Sequence, residues 1–217
     1  MKSIATEGLK NRVALITGAS RGIGCAIARQ LAVAGATVVL TDEHAIEALM
    51  AEIKVQYGRL DILINNAGVT FSGDIECTTA ADWDHCMAVN ARAAFLLCRE
   101  GLPLLRQGTD PCVVNVSSVV GVKGYTKQIA YTASKHALRG FSLALAEELH
   151  PQGIRVHVVC PGGVDTDMVQ NVRPDIPKQD LITAQEVAEV VIFMILRPGQ
   201  GIIDEIHLRR RTSGPWF

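Results

Sequence analysis

The sequence predicts a three-layer α/β fold in which one parallel sheet of about six strands carries helices on both faces. Short β-branched runs alternate with longer amphipathic stretches, which is the pattern of repeated strand–helix–strand units. A glycine-rich turn joins the first strand directly to the first helix. The chain has 217 residues, 48% of them hydrophobic, which suits a single domain, residues 1–217, with one large core.

Each element is bounded by glycine, proline or polar residues. The predicted strands are Val13–Thr17, Thr37–Leu40, Leu60–Asn65, Val113–Ser117, Arg155–Cys160 and Ile202–Ile206. The predicted helices are Gly24–Ala34, His44–Tyr57, Ala80–Leu105, Tyr131–Leu149 and Ala184–Leu196. The last helix follows Thr183 and contains Glu186, a spacing typical of a capping box that satisfies free backbone N–H groups.

The composition excludes several classes of partner. Lys and Arg number 21 against 22 Asp and Glu, so no overall charge attracts nucleic acid or an anionic membrane. The six cysteines lack metal-ligand spacing and are too scattered for a disulfide framework, which indicates reduced thiols, no metal and a cytoplasmic location. We find neither a signal-peptide pattern nor an apolar run long enough to span a membrane.

The turn from Thr17 to Gly24 reads Thr-Gly-Ala-Ser-Arg-Gly-Ile-Gly. Gly18 permits a tight bend, Gly22 lets backbone approach a pyrophosphate, and Gly24 lets helix and strand pack closely, while the helix N-terminus offers free N–H groups. Glycines also occur where packing alone requires a positive φ, so the turn by itself leaves both readings open. The predicted cofactor contacts in this turn are Gly18, Ser20, Arg21, Gly22, Ile23 and Gly24.

An acidic residue at the end of the second strand bears on cofactor choice. Asp42 lies 18 residues after Gly24, where a carboxylate can accept hydrogen bonds from the adenosine ribose and would repel a 2′-phosphate. It could instead cap the following helix. Arg21 offers positive charge to a 2′-phosphate and so favours the opposite choice. On balance the sequence favours NAD over NADP.

A tyrosine and a lysine lie four residues apart in a predicted helix, and therefore on one helix face. An ammonium group at Lys135 near the phenol of Tyr131 would lower the tyrosine pKa and make it a usable acid or base. Ser117 and Ser118 lie at the carboxyl end of a predicted buried strand, where open α/β sheets bind ligands.

With these motifs in place, the chain resembles the short-chain dehydrogenase/reductase family from about Asn11 to Leu208. Further matching motifs are Asn65-Asn-Ala-Gly68, Asn90 and Pro161-Gly162. The resemblance implies a Rossmann-like doubly wound sheet. It also implies an oxidoreductase that transfers hydride between a nicotinamide cofactor and a small carbonyl compound or secondary alcohol.

The resemblance also implies residue roles. The catalytic serine of the family lies 13 residues before the tyrosine, which selects Ser118 over Ser117. Ser118 would hydrogen-bond the substrate oxygen, Tyr131 would donate or remove its proton, and Lys135 would bind the nicotinamide ribose. Asn90 would hold a water in the proton relay. The further implied cofactor contacts are Asn66, Ala67, Gly68, Pro161, Gly162, Val164 and Thr166.

The region between the second and third predicted strands departs from the family pattern. It has room for one helix only, so a helix–strand unit of roughly 20–30 residues is missing, and with it the third strand of the usual fold. Asp42 could therefore end either the second strand or the missing one. An alternative function is a nucleotide-binding regulatory or scaffold protein that kept the fold.

The resemblance implies a homodimer or homotetramer. Two long helices would pair across a two-fold axis through outward apolar residues, including Phe95, Leu138, Phe141 and Leu145.

Overall fold

The computed structural model describes residues 8–41, 46–197 and 200–216. Its six strands form one sheet in which every pairing is parallel. The strands are β1 (Val13–Thr17), β2 (Thr37–Thr41), β3 (Ile62–Asn65), β4 (Cys112–Val116), β5 (Arg155–Pro161) and β6 (Glu205–Leu208). Their order across the sheet is β2-β1-β3-β4-β5-β6. This order confirms the predicted doubly wound fold, with its switch point between β1 and β3.

Helices cover both faces of the sheet. They are α1 (Gly22–Val33), α2 (Ile46–Tyr57), α3 (Ala80–Met87), α4 (Ala93–Leu105), α5 (Ile129–Leu149), α6 (Asp167–Val172) and α7 (Ala184–Leu196). Ala14 and Ile16 of β1 pack in a core with α1 and α7. Val13 and Leu15 face the opposite core, formed with α2, α4 and α5. Because both faces are covered, β1 is buried along its whole length and is apolar from Val13 to Ile16.

The bounds of two elements test the sequence prediction. Helix α7 has its predicted bounds and its capping box, in which Glu186 N donates to Thr183 Oγ1 at 3.1 Å and Thr183 N donates to Glu186 Oε2 at 2.7 Å. Strand β6 begins later than predicted. Its ladder with β5 starts at Glu205, and Ile202 before it is 50% exposed. Ile202 and Ile203 made the predicted strand begin too early, because these two residues do not pair with β5.

The predicted continuous helix Ala80–Leu105 is wrong in its middle. A π-helical turn at Ala88–Arg92 separates α3 from α4. Such a turn inserts one extra residue into a helix and changes the direction in which its side chains point. The hydrophobic pattern does not reveal this π-helical turn, because apolar residues recur at helical spacing both before it, in α3, and after it, in α4.

Strand β2 forms one edge of the sheet. Within the described residues it pairs only with β1, and it is half-exposed where β1 is buried throughout. The absence of the third strand is thus confirmed for the described part of the chain. Thr41 pairs with Thr17, so the strand that precedes Asp42 is the second one. Asp42 itself lies outside the described residues.

The apolar surface of the long helices is narrower than predicted. Leu138 is only 2% exposed, and Phe141 and Leu145 pack partly against the core with α4. Phe95 remains 44% exposed and Leu143 40% exposed. In the described ranges, no helix combines the length and the apolar character needed to cross a bilayer.

Candidate active site

The glycine turn fits tightly against the loop that follows β3. A Cβ on Gly18, whose φ is +62°, would lie 2.8 Å from the Cα of Ala67. A Cβ on Gly24 would lie 2.3 Å from the carbonyl oxygen of Gly18 and 2.4 Å from the Asn66 side chain. No side chain fits at either position. Close packing therefore accounts for these two glycines.

Thr17 and Asn66 join the two loops. Asn66 Nδ2 donates to the carbonyl oxygens of Thr17 and Gly18, each at 3.0 Å. Thr17 Oγ1 accepts from the backbone N–H groups of Asn66 and Ala67, also at 3.0 Å. These bonds fix the backbone on both sides of the switch point, so the loops form one preformed surface.

Ser117 and Ser118 follow β4 directly and have different surroundings. Ser117 is buried, and its Oγ donates to the carbonyl oxygen of Lys135 at 3.1 Å. Ser118 is half-buried, hydrogen-bonds Tyr131 and accepts from Val120 N at 3.3 Å. Ser118 and Tyr131 together line one pocket. Ser117 lines the same pocket, so the choice of Ser118 as the serine that contacts substrate stays a prediction.

Lys135 lies in α5 one turn after Tyr131, with its side chain 4% exposed. Its Nζ donates to the carbonyl oxygen of Val116 at 2.9 Å and lies 6.0 Å from the centre of the Tyr131 ring. The ammonium group is thus held at the carboxyl end of β4, on the same side of the sheet as the glycine turn.

Asn90 lies in the π-helical turn and is buried. Its Nδ2 donates to Val69 O at 2.8 Å and to Ser134 Oγ at 2.9 Å, while its Oδ1 accepts from Val69 N at 2.8 Å. Ser134 Oγ in turn donates to the Tyr131 carbonyl oxygen at 2.8 Å. Asn90 therefore connects the loop after β3 to the helix that carries Tyr131 and Lys135.

The pKa values of Tyr131 and Lys135 are set chiefly by burial. Burial raises the pKa of Tyr131 above its ordinary value, and the hydrogen bond with Ser118 only partly offsets this. Burial lowers the pKa of Lys135 to about 8. The expectation that the ammonium group lowers the tyrosine pKa is wrong for this structure, because desolvation of the phenolate dominates.

A groove of about 780 Å³ runs across the carboxyl ends of the strands. It is lined by Gly18, Ser20, Arg21, Gly22, Ile23, Asn66, Ala67, Gly68, Tyr131, Lys135 and Thr166, among others. A smaller pocket of about 160 Å³ adjoins it and shares Tyr131 and Thr166. Ser118, Pro161, Gly162 and Val164 line that pocket. Among the described residues, the predicted site residues line these two spaces, apart from Asn90 and Gly24, which packs beneath the turn.

Several residues at the site were missed by sequence reasoning. Thr17, Ser134 and the Val116 carbonyl group hold predicted residues in place. Thr17 adjoins Gly18 and could have been proposed as a loop anchor. The roles of Ser134 and Val116 depend on contacts between distant parts of the chain, which no local pattern reveals.

A group of possible metal ligands also escaped the sequence analysis. Side-chain atoms of Cys160, Glu205 and His207 lie within 4.8 Å of one another. Arg139 Nε donates to Glu205 Oε1 at 2.7 Å. The Glu205 carboxylate is thus already ion-paired with the Arg139 guanidinium group. The cluster is therefore better described as an ion-pair network than as a cation site.

The fold and the groove define a Rossmann-like protein with a dinucleotide-sized site at its switch point. The short chain dehydrogenase family model matches residues 12–45 and 40–177. The chain is 32% identical to the 3-oxoacyl-(acyl-carrier-protein) reductase FabG of Escherichia coli, covering 85% of this chain and 90% of that protein. It is 34% identical to a 3beta-hydroxysteroid dehydrogenase of Mediterraneibacter gnavus, covering 76% and 70% of the two chains.

A solved metagenomic short-chain oxidoreductase in complex with NADP superposes with a TM-score of 0.78. It is 32% identical and is matched over 94% of this chain and 99% of its own. The chain belongs to the short-chain dehydrogenase family and is an oxidoreductase of that family.

Proposed function

We propose that this protein is an NAD(P)-dependent dehydrogenase or reductase that interconverts a carbonyl compound and a secondary alcohol, with Tyr131 as the proton donor and acceptor. One observation carries the proposal. Tyr131 lines both the large groove and the small pocket, so its hydroxyl can reach a substrate oxygen beside a cofactor.

The groove suits a dinucleotide. The backbone of the glycine turn lies so close to Asn66 and Ala67 that a Cβ on Gly18 or Gly24 would clash. The N-terminus of α1 opens into the groove at Gly22. Backbone N–H groups of this turn would bind the pyrophosphate. Thr166 and Val164 would contact the nicotinamide end, and Lys135 would bind its ribose. When bound, the nicotinamide supplies or accepts the hydride.

The substrate oxygen would lie between Ser118 and Tyr131. Ser118 orients it with a hydrogen bond, and Tyr131 gives it a proton during reduction. Because burial raises the pKa of Tyr131, the phenol is protonated at neutral pH and is prepared to act as an acid. Oxidation of an alcohol would need the phenolate as base, so its rate should rise as the solution becomes more alkaline.

Asn90 has a positioning role in this proposal. Both hydrogens of its Nδ2 are used within the protein. A water of the proton relay would therefore bind its backbone carbonyl group or the remaining lone pair of Oδ1.

We further propose NAD as the preferred cofactor. The strand that precedes Asp42 is the neighbour of β1, which is where a carboxylate meets the adenosine ribose. NADP is the alternative, supported by Arg21 and by the NADP complex of the solved relative. Arg21 Nη1 pairs with Asp167 at 3.3 Å, with both side chains largely exposed, and such a pair is weak enough to exchange for a phosphate.

The experiment titrates the protein with NADH and NADPH by fluorescence and then screens small ketones for oxidation of the cofactor that binds. Tighter NADH binding together with ketone-dependent turnover supports the proposal. Tighter NADPH binding overturns the NAD preference alone. Binding without turnover on any carbonyl compound would favour a regulatory or scaffold protein, a function that the missing strand beside β2 also suggests.

A further inference from the structure

The chain segment after β6 forms one wall of the small pocket. Gly162 N donates to Leu208 O at 2.8 Å, which holds this segment beside the loop after β5. Arg210, Ser213 and Trp216 then line the same pocket as Ser118 and Tyr131. The C-terminal part of the chain therefore contacts whatever binds at the proposed catalytic tyrosine.

Arg210 brings an unneutralised positive charge to this wall. Its only side-chain hydrogen bond in the described part of the chain is a long one of 3.4 Å to Thr212 Oγ1, and no carboxylate there lies within ion-pair distance of it. The other arginine of the pocket, Arg173, is held by Asp175 through two bonds of 2.8 and 2.7 Å.

Asp175 does not cancel both charges. Its hydrogen bonds with Arg173 hold the pKa of this carboxyl below its usual value, and the more distant Arg210 adds a smaller effect in the same direction. Asp175 is thus ion-paired with Arg173 alone, and Arg210 lies farther from it. The side chain of Arg210 also passes close to Gly163, where a Cβ would lie 3.3 Å from Arg210 Cδ. The glycine leaves room for the arginine at this wall.

We propose that Arg210 binds a carboxylate group of the substrate, so that this protein acts on a small oxo acid or hydroxy acid. The inference rests on the proposed function for the carbonyl chemistry at Tyr131. A guanidinium group matches a carboxylate with two parallel hydrogen bonds. The surrounding wall includes apolar side chains such as Val172 and Ile176, which strengthen a charged hydrogen bond by excluding water.

The size of the pocket limits the substrate. Its volume of about 160 Å³ is below the roughly 300–1,000 Å³ of sites that enclose drug-sized ligands. A short-chain acid fits such a volume, with its carbonyl at Tyr131 and its carboxylate at Arg210.

The first test compares each of three oxo acids (pyruvate, acetoacetate and levulinate) with its methyl ester. For at least one pair we expect kcat/KM for the acid to exceed that for the ester. Arg210→Met should lower this acid-to-ester ratio roughly 10- to 100-fold, mainly through KM. The matched control is Arg211→Met, which removes an exposed neighbouring arginine that does not line the pocket. It should leave the ratio unchanged.

A second test measures binding without turnover. Trp216 lines the pocket, so its fluorescence in a Trp83→Phe background should respond to the oxo acids, and Arg210→Met should weaken that response at least roughly tenfold. A wild-type preference for the esters would overturn the inference while leaving the reductase function intact. Acid binding that needs Arg210, without turnover of any compound, would support the anion site and contradict the proposed reaction. If the oxo acids do not change the Trp216 fluorescence, and the acids and esters have equal kcat/KM values, the inference is overturned.

Discussion

The two ends of the groove are built very differently. At the proposed catalytic end, buried polar side chains cross-link β3, β4 and α5. Asn65 Nδ2 donates to Asn115 Oδ1 at 2.8 Å, and Asn115 Nδ2 donates to Ser142 Oγ at 2.7 Å. At the other end, where the adenosine half of a dinucleotide would lie, β2 is an edge strand and Leu40 is 57% exposed. The proposed reaction centre therefore has more hydrogen bonds between elements than the proposed cofactor wall at β2.

This difference bears on which half of the proposed site is better supported by the rest of the fold. Asn90, Ser134 and Ser117 near Tyr131 and Lys135 are hydrogen-bonded to other parts of the fold, so removing one of them disturbs several elements. The edge at β2 has fewer such connections. A cavity of about 340 Å³, lined by Thr41, Ala67 and residues of α4, also lies beside this edge. We expect catalysis to depend on the first region and cofactor affinity to be limited by the second.

The largest effect should come from Tyr131→Phe. The variant loses the proposed proton donor but keeps the ring, so turnover should fall at least ~10²-fold while the cofactor dissociation constant stays nearly the same. Steady-state kinetics and cofactor fluorescence measure the two quantities. Tyr57→Phe, which removes a phenol hydroxyl in α2, is the matched control. Near-normal turnover of Tyr131→Phe would contradict the proposed mechanism.

A splice at the β2 edge tests the other region. Inserting a helix–strand segment from a full-length relative between β2 and α2 would restore the missing wall, and NADH should bind roughly 5- to 30-fold more tightly, since covering one apolar ring face is worth ~1–2 kcal/mol. Turnover at saturating cofactor should not change. An unchanged dissociation constant in a folded chimera would show that another part of the protein already covers this edge.

The buried ammonium group of Lys135 should lower the free energy of unfolding of the wild type at neutral pH. Burial lowers its pKa from 10.5 to about 8, so below pH 8 the folded state holds a charged lysine that the unfolded state solvates better. Between the two values only the unfolded state stays protonated, and wild-type stability rises with pH. Lys135→Met should therefore be more stable than the wild type at neutral pH, by about 1–2 kcal/mol after the loss of the bond to Val116.

The pH dependence of that difference is the critical measurement. Urea unfolding at pH 7 and at pH 9.5 should show the advantage of Lys135→Met shrinking at the higher value, because the wild type has then shed most of its charge penalty. A variant that is less stable than the wild type at both values would show that the buried ammonium group stabilises this region. Lys54→Met, on the helix that precedes β3, controls for the loss of an exposed lysine.

The smallest change concerns assembly. Phe95 is exposed in α4 and packs edge-on against Phe141 of α5, with ring centres 6.1 Å apart. If α4 and α5 pair across a two-fold axis, light scattering at micromolar concentration should give a multiple of the 23.3 kDa chain mass. Phe95→Glu should shift the protein toward the monomer. A monomeric wild type would contradict the proposed homo-oligomer and leave the catalytic prediction unaffected.

The sequence predicted those features that depend on local spacing. The glycine turn, the approximate positions of the strands and the Tyr131/Lys135 pair follow from residues that are close in the chain. The missing strand was also predictable, because the distance from Thr41 to Leu60 is too short for the usual elements. Charge and burial at the site were less accessible. The raised pKa of Tyr131 depends on burial by several distant elements, which the pair alone does not reveal.

Other features depend on how separate segments meet. The Arg210 wall needs the segment after β6 to fold back over Gly162, and nothing in the spacing of these residues predicts that contact. The bounds of β6 depend on its ladder with β5. Leu138 was predicted to face outward from its helix, but other parts of the chain bury it. In each case a tertiary contact decided the outcome against the local pattern.

The π-helical turn around Asn90 has a consequence for any redesign of this protein. Because the turn holds one residue more than a regular helical turn, it shifts the register of the helix by one residue. Deleting one residue between Ala88 and Arg92 would restore a regular α-helix and rotate Asn90 away from Val69 and Ser134. A designer who idealised this helix would gain regular backbone hydrogen bonds and would disconnect the loop after β3 from the helix that carries Tyr131.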